Sequence, residues 1–181
     1  MPTAIALLRG INVGSTRSLP MERLRALCDQ VGMHDPRTYI QSGNVIFEAA
    51  KRDLSAVAER LEAAIEADRG FRPSVVVRTR DELAAAIDGS PFAARAKTDA
   101  AKLLVMFLKS KPAAGAQQAL DGVKRGAEQM RLVGRELFID FPDGIGKAKV
   151  SLAAVEKAIG VPATGRNWNT VLSLLAMADE G

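Results

Sequence analysis

Two successive β-α-β-β-α patterns predict an α+β fold. The expected architecture is two tandem ferredoxin-like subdomains of the βαββαβ type packed together, plus a C-terminal helix. Three observations carry it: short apolar or β-branched runs of strand length, apolar helical faces between them, and two glycine-marked hairpin turns, Ser42-Gly43 and Gly134-Arg135. The 181 residues, 48% hydrophobic and 25% charged, are a globular mix long enough for one domain or two small ones. The expected division is a first subdomain over 1–88, a second over 89–160, and the C-terminal helix within 161–181.

The run from Thr3 to Arg9 is a buried strand by length and composition. A loop follows over Gly10–Ser18. Pro20 then opens a helix, where its missing N–H costs nothing. Met21, Leu24, Leu27, Cys28 and Val31 give that helix one apolar face, and Gly32 stops it. Arg37–Gln41 and Asn44–Glu48 are predicted as a hairpin about Ser42-Gly43. A second helix starts at Asp53 with Leu54, Val57, Leu61, Ala64 and Ile65 inward, and Gly70 ends it. Pro73–Thr79, with three valines at its centre, is a strand.

Thr79-Arg80-Asp81-Glu82 is a capping box that starts a short helix. Gly89–Asp99 is read as a linker without periodicity. The pattern then restarts with a strand over Lys102–Lys109, a helix over Ala113–Val123, and a hairpin of Gln129–Val133 with Glu136–Phe141. Ser151–Ile159 is a helix with Leu152, Val155 and Ile159 inward, and a last helix spans about residues 167–178. On this reading the second half ends in a helix where the first half has a fourth strand.

Composition excludes several chemistries. With one histidine and one cysteine, the chain holds no His/Cys zinc site and no disulfide framework. It has little room for a Ser-His-Asp or Cys-His pair, and no catalytic residue is assigned. His34 lacks a second ligand, Cys28 lies on an apolar helical face, and no metal site or cofactor is expected. Gly144-Ile145-Gly146-Lys147 lacks the remaining residues of a phosphate loop. No signal peptide or membrane span is legible, so a soluble, cytoplasmic protein is expected. Net charge is +4, with 14 basic and 13 acidic groups in 1–100 and 11 and 8 in 101–181. The two signs are interspersed, unlike the concentrated stripe of a nucleic-acid binder.

Three segments carry polar groups beyond what the fold requires. Arg9-Gly10-Ile11-Asn12-Val13-Gly14-Ser15 leaves the first strand toward a helix, where main-chain N–H groups can cradle anions. Turn chemistry with Asn12 bonded to the backbone would also account for it. Gln41, Ser42 and Asn44 flank Gly43 in the first hairpin, where turn geometry needs only the glycine. Arg166-Asn167-Trp168-Asn169-Thr170 opens the last helix. There Asn167 is an N-cap and Trp168 a packing anchor, while Arg166, Asn169 and Thr170 surround the helix start with donors. A capped, docked helix would also account for that segment.

These segments carry a resemblance. Leu8-Arg9-Gly10-Ile11-Asn12-Val13-Gly14, Pro20-Met21 with Leu24-Arg25, Thr38-Tyr39-Ile40-Gln41-Ser42-Gly43-Asn44-Val45, and Arg166-Asn167-Trp168-Asn169-Thr170 are similar to the motifs of the bacterial domain-of-unknown-function family 1697. The resemblance spans nearly the whole chain. Departures are Gly14-Ser15-Thr16, where the family usually has Gly-Gly-Lys, and Gly165, where it usually has alanine. The resemblance implies two ferredoxin-like halves and no assigned activity.

The leading functional expectation is a small anionic or nucleotide-like ligand. It would be bound through Arg9, Gly10, Asn12, Gly14, Gln41, Ser42, Asn44, Arg166, Asn167, Asn169 and Thr170. The alternatives are a single-stranded nucleic-acid-binding module, for which 4% aromatics is a thin stacking platform, and a structural or protein-interaction domain.

Overall fold

The computed structural model describes residues 1–181. The chain divides into two compact units, Met1–Ala84 with Ser173–Gly181, and Ala85–Leu172. Each contains one four-stranded antiparallel sheet.

The first unit runs β1 (Thr3–Leu8), α1 (Met21–Gln30), β2 (His34–Tyr39), β3 (Asn44–Glu48), α2 (Leu54–Arg69) and β4 (Val75–Thr79), with α3 (Arg80–Asp88) beginning directly after β4. Its strand order is β2-β3-β1-β4. Alternate residues Ala4, Ala6 and Leu8 of β1 join Val45, Phe47 and Val75 against Leu24, Leu27 and Cys28 of α1 and Val57, Leu61 and Ile65 of α2. The opposite phase of the strands, Ile5, Leu7, Ile46, Val76 and Arg78, is buried as well. Burial on both faces explains why β1 and β4 are apolar runs rather than alternating ones. Buried Glu62 reaches from α2 to accept the Val75 main-chain N–H at 2.9 Å and pairs with Arg72 at 3.4 Å.

The second strand departs from expectation. It spans His34–Tyr39, not Arg37–Gln41. The pairing shifts register between His34 and Arg37, with Asp35 at φ 48°, and this bulge carries the strand through Asp35-Pro36. Proline is tolerated there because β2 lies at the sheet edge. The hairpin turn is accordingly four residues, 40–43, closed by the Tyr39–Asn44 pair. The capping box of α3 forms as its sequence suggests: Glu82 N–H donates to Thr79 Oγ1 at 3.1 Å, and Thr79 N–H to Glu82 Oε2 at 2.8 Å.

The second unit contains α4 (Ala93–Thr98), β5 (Leu103–Leu108), α5 (Ala116–Asp121), β6 (Gln129–Val133), β7 (Glu136–Asp140), α6 (Leu152–Ile159) and β8 (Ala163–Asn167), then the start of α7 (Trp168–Asp179). Strand order is β6-β7-β5-β8, with a core of Met106, Leu108, Leu120, Met130, Leu137, Ile139, Val155 and Ile159. Three expectations are corrected here. The second half has its fourth strand: β8 pairs antiparallel with β5 from Leu104↔Asn167 to Leu108↔Ala163. Its sequence, Ala-Thr-Gly-Arg-Asn, lacks the β-branched density that marks β4; pairing with β5 makes it a strand. The supposed linker contains α4, whose Arg95 grips Asp140 of β7 at 2.7 Å. Leu152, expected inward, is 43% exposed.

The two units repeat one plan in detail. Leu8 N–H donates to Gly43 O and Leu108 N–H to Arg135 O, both at 2.8 Å. Arg9 N–H donates to Ser74 O at 2.9 Å and Lys109 N–H to Pro162 O at 2.8 Å. Ile5 faces Arg78 across β1–β4, and Val105 faces Arg166 across β5–β8. No helix is long and apolar enough to cross a membrane.

Candidate functional site

At one end of the first unit's sheet three loops meet: 9–19 after β1, the hairpin turn 40–43, and 70–74 before β4. Asn12 ties the first two together. Its Nδ2 donates to Leu19 O and to Gln41 O, each at 2.9 Å, and its Oδ1 accepts from Leu19 N–H at 2.7 Å. The Asn12 main-chain N–H donates to Arg17 O at 2.9 Å, and Thr16 N–H to Val13 O at 3.1 Å, folding 12–17 into a tight loop. Gly10 and Gly14 take positive φ there, which glycine permits without steric cost, and so does Asn12, at φ 52°.

The turn is held from its other side by Asn44, fully buried, whose Nδ2 donates to Tyr39 O at 3.0 Å and to Ser42 Oγ at 2.9 Å. Gly43 is required by space as well as by its φ of +83°: a Cβ there would lie 2.8 Å from Leu8 Cβ and 2.9 Å from Ile11 Cδ1. The third loop joins through the Arg9–Ser74 main-chain bond and through Arg17, whose guanidinium sits 5.0 Å from the Phe71 ring centroid. Arg69 Nε donates to Ser18 O at 3.0 Å.

The surface so assembled exposes Arg9, Gly14, Ser15, Thr16, Arg17, Gln41 and Ser42. None of residues 9–19, 36–47 or 70–74 is acidic. Sequence-predicted residues of the first two motifs are thus brought together within one unit. The amides of Asn12 and Asn44 hold main chain and, for Asn44, the Ser42 hydroxyl as well, and Arg9, Gln41 and Ser42 lie at the exposed surface.

The third motif belongs to the second unit. Arg166 is buried, and its Nη1 donates to Thr164 Oγ1 at 2.8 Å and to Gly165 O at 2.9 Å. Burial pushes its pKa down to about 10, which leaves it protonated at neutral pH. Asn167 caps α7: its Oδ1 accepts from Asn169 N–H at 3.0 Å while its Nδ2 donates to Ala101 O at 3.0 Å. Trp168 is buried, Asn169 exposed and Thr170 half-buried.

Reading the sequence missed Arg78 and the 70–74 loop. Arg78 is 1% exposed on β4, and the only signal was a charge directly after three valines within a strand-length run. The loop carries no motif; the Arg9–Ser74 bond and the Arg17–Phe71 contact reveal it. Elsewhere, clefts of about 300 Å³ (beside Arg80 and Asp179) and 360 Å³ (beside Arg95 and Asp140) each contain an ion pair of 2.7 Å. No predicted site residue lines either cleft, and in both the arginine is already matched by a carboxylate. No group of three His, Cys, Asp or Glu is placed to hold a metal ion. Burial pushes the Cys28 thiol up to about 12, so it is not a thiolate nucleophile at neutral pH.

No curated protein matches this chain. Among solved structures it is similar to conserved bacterial protein SP0830 from Streptococcus pneumoniae, at 23% identity over 98% of each chain with a TM-score of 0.68. That likeness is one of fold. Residues 1–138 match the model of DUF1697, described as a protein of unknown function, and the chain belongs to that family.

Proposed function

We propose that the protein binds a small anionic, nucleotide-like ligand at the loop end of the first unit. One observation carries the reading: Asn12 and the Arg9–Ser74 bond gather three loops whose own residues, 9–19, 40–43 and 70–74, include Arg9, Arg17 and Arg72 and no Asp or Glu. Main-chain N–H groups in αL-rich turns and an arginine are suited to phosphate or carboxylate oxygens. In this reading Arg9 is the charge contact, Gly10 and Gly14 let the ligand approach the backbone, and Gln41 and Ser42 supply neutral donors. Asn12 and Asn44 shape the surface. Arg166, Asn167, Asn169 and Thr170 are donors carried on the second unit. The strand order and the alternation of strands and helices also support reading each unit as ferredoxin-like.

A second reading, a structural role for the motifs, is favoured by the amides of Asn12, Asn44 and Asn167, all of which bond main-chain carbonyls. A thermal-shift series against phosphate, carboxylates and mononucleotides separates the two. A ligand at about 100 times its Kd adds about 2.7 kcal/mol to native stability and raises the melting temperature by several degrees. Arg9→Ala, compared with its own unliganded melt, is expected to weaken binding about tenfold or more. No shift with any anion would leave the structural reading standing.

A further inference from the structure

In the second unit β6 is an edge strand, paired on one side with β7 and open on the other. In an antiparallel ladder alternate residues turn their main-chain groups away from the partner strand. On β6 two such groups, Met130 O and Leu132 N–H, meet one side chain, Gln117 of α5. Its Nε2 donates to Met130 O at 3.2 Å, and its Oε1 accepts from Leu132 N–H at 2.8 Å. One residue of an added parallel strand would make this same pair of bonds. Nε2 also donates to Asp121 Oδ1, one turn further along α5, at 2.9 Å, so three partners fix which way the amide points. Ala116 and Leu120, both buried, anchor the helix that carries it.

An open strand edge is a template for pairing with another chain. The first unit closes its own edges by other means. Pro36 and the bulge interrupt β2, and on β4 the side chains of Glu62, Arg78 and Glu82 engage Val75 N–H, Val77 O and Thr79 N–H. We propose that Gln117 is a guard on the β6 edge, holding the place of an added strand and so keeping β6 from pairing with β6 of a second copy of this chain. Without the amide, the strand suits its own copy. Pairing antiparallel about Leu132 sets Arg131 beside Val133 of the second copy, so no like charges face each other within the ladder. It also partly covers Val133, which is 43% exposed at the end of the strand.

Sedimentation and site-resolved hydrogen exchange of the wild type and Gln117→Ala, each over a range of protein concentration, test it. Gln117→Ala is expected to raise the self-association constant at least about tenfold, because no amide has to be displaced first. In dilute Gln117→Ala the Leu132 amide is expected to exchange at least about tenfold faster than in the wild type, and to slow again on concentration as the second copy takes it up. Gln117→Met keeps the helix propensity and an unbranched side chain but neither bond, and gives the same two results where the alanine variant does not fold. A folded variant that associates no more than the wild type overturns the guard. Association that leaves the Leu132 amide exchanging as fast as in dilute solution overturns it too, because the contact then lies elsewhere. Loss of the native fold in both variants makes Gln117 a structural residue and overturns it equally.

Discussion

At the scale of single residues, Asn12 does more than any other side chain to shape the loop end. Its one amide donates to two main-chain carbonyls and accepts from one main-chain N–H. Asn12→Ala is expected to destabilise the protein by about 1–3 kcal/mol, because carbonyls at Leu19 and Gln41 lose their donor. Urea unfolding measures this, and an unchanged midpoint would show that water replaces the amide at no cost. The same variant should also weaken anion binding, since loop and turn then move independently. Sequence made Asn12 visible as a candidate but not its task. A strand-to-helix loop with two glycines looks alike whether its asparagine faces a ligand or its own backbone. Gly43 was legible for the right reason, a positive φ, but its crowding against Leu8 and Ile11 was not. Arg78 and Glu62 were not singled out, because a charge in a strand or helix looks solvated until its environment is known.

At the scale of elements, legibility followed periodicity. The strands β1, β3, β4, β6 and β7 have runs that announce themselves. β8 does not: Ala-Thr-Gly-Arg-Asn has no β-branched or aromatic run, and the strand exists because it pairs along β5. β2 was shifted because Asp35-Pro36 resembles a breaker, while a bulge at a sheet edge absorbs both. Element junctions also hold a carboxylate whose titration bears on stability. Glu128 accepts the main-chain N–H groups of Gly126 at 2.7 Å and Lys149 at 2.6 Å, tying the approach to β6 to the segment before α6. Hydrogen bonds from its own main-chain amide, then from those of Lys149, Val150 and Gly126, hold its carboxyl below the usual glutamate range. A lowered folded-state pKa means stability that is present above the unfolded value and lost as pH falls through the folded one. Glu128→Gln is therefore expected to lower the melting temperature at pH 7. The gap to the wild type should narrow below about pH 4.3, the ordinary glutamate value. A gap constant from pH 7 to pH 3 would show that the ionised form contributes nothing.

At the scale of the whole molecule, the net charge of +4 is distributed without a stripe, and its placement matters more than its size. In the first unit, Asp68, Glu62 and Asp179 pair with Arg23, Arg72 and Arg80, and the Glu62–Arg72 pair stands at the loop end, whose own three segments carry no acid. The second unit repeats the plan but not the chemistry. The bond from Leu108 ends on Arg135 where that from Leu8 ends on Gly43, and Lys109 stands where Arg9 does. A shared scaffold with different side chains at its loop ends is how one fold acquires a site in one copy and a framework in another.

Anion binding at the loop end is read most directly by an amide chemical-shift titration of the isotopically labelled protein with inorganic phosphate at low ionic strength. An anion site there gives saturable shifts concentrated in 9–18, 40–43 and 70–74, abolished in Arg9→Ala. Shifts that never saturate, or that cluster at Arg80 and Arg95 instead, would contradict it.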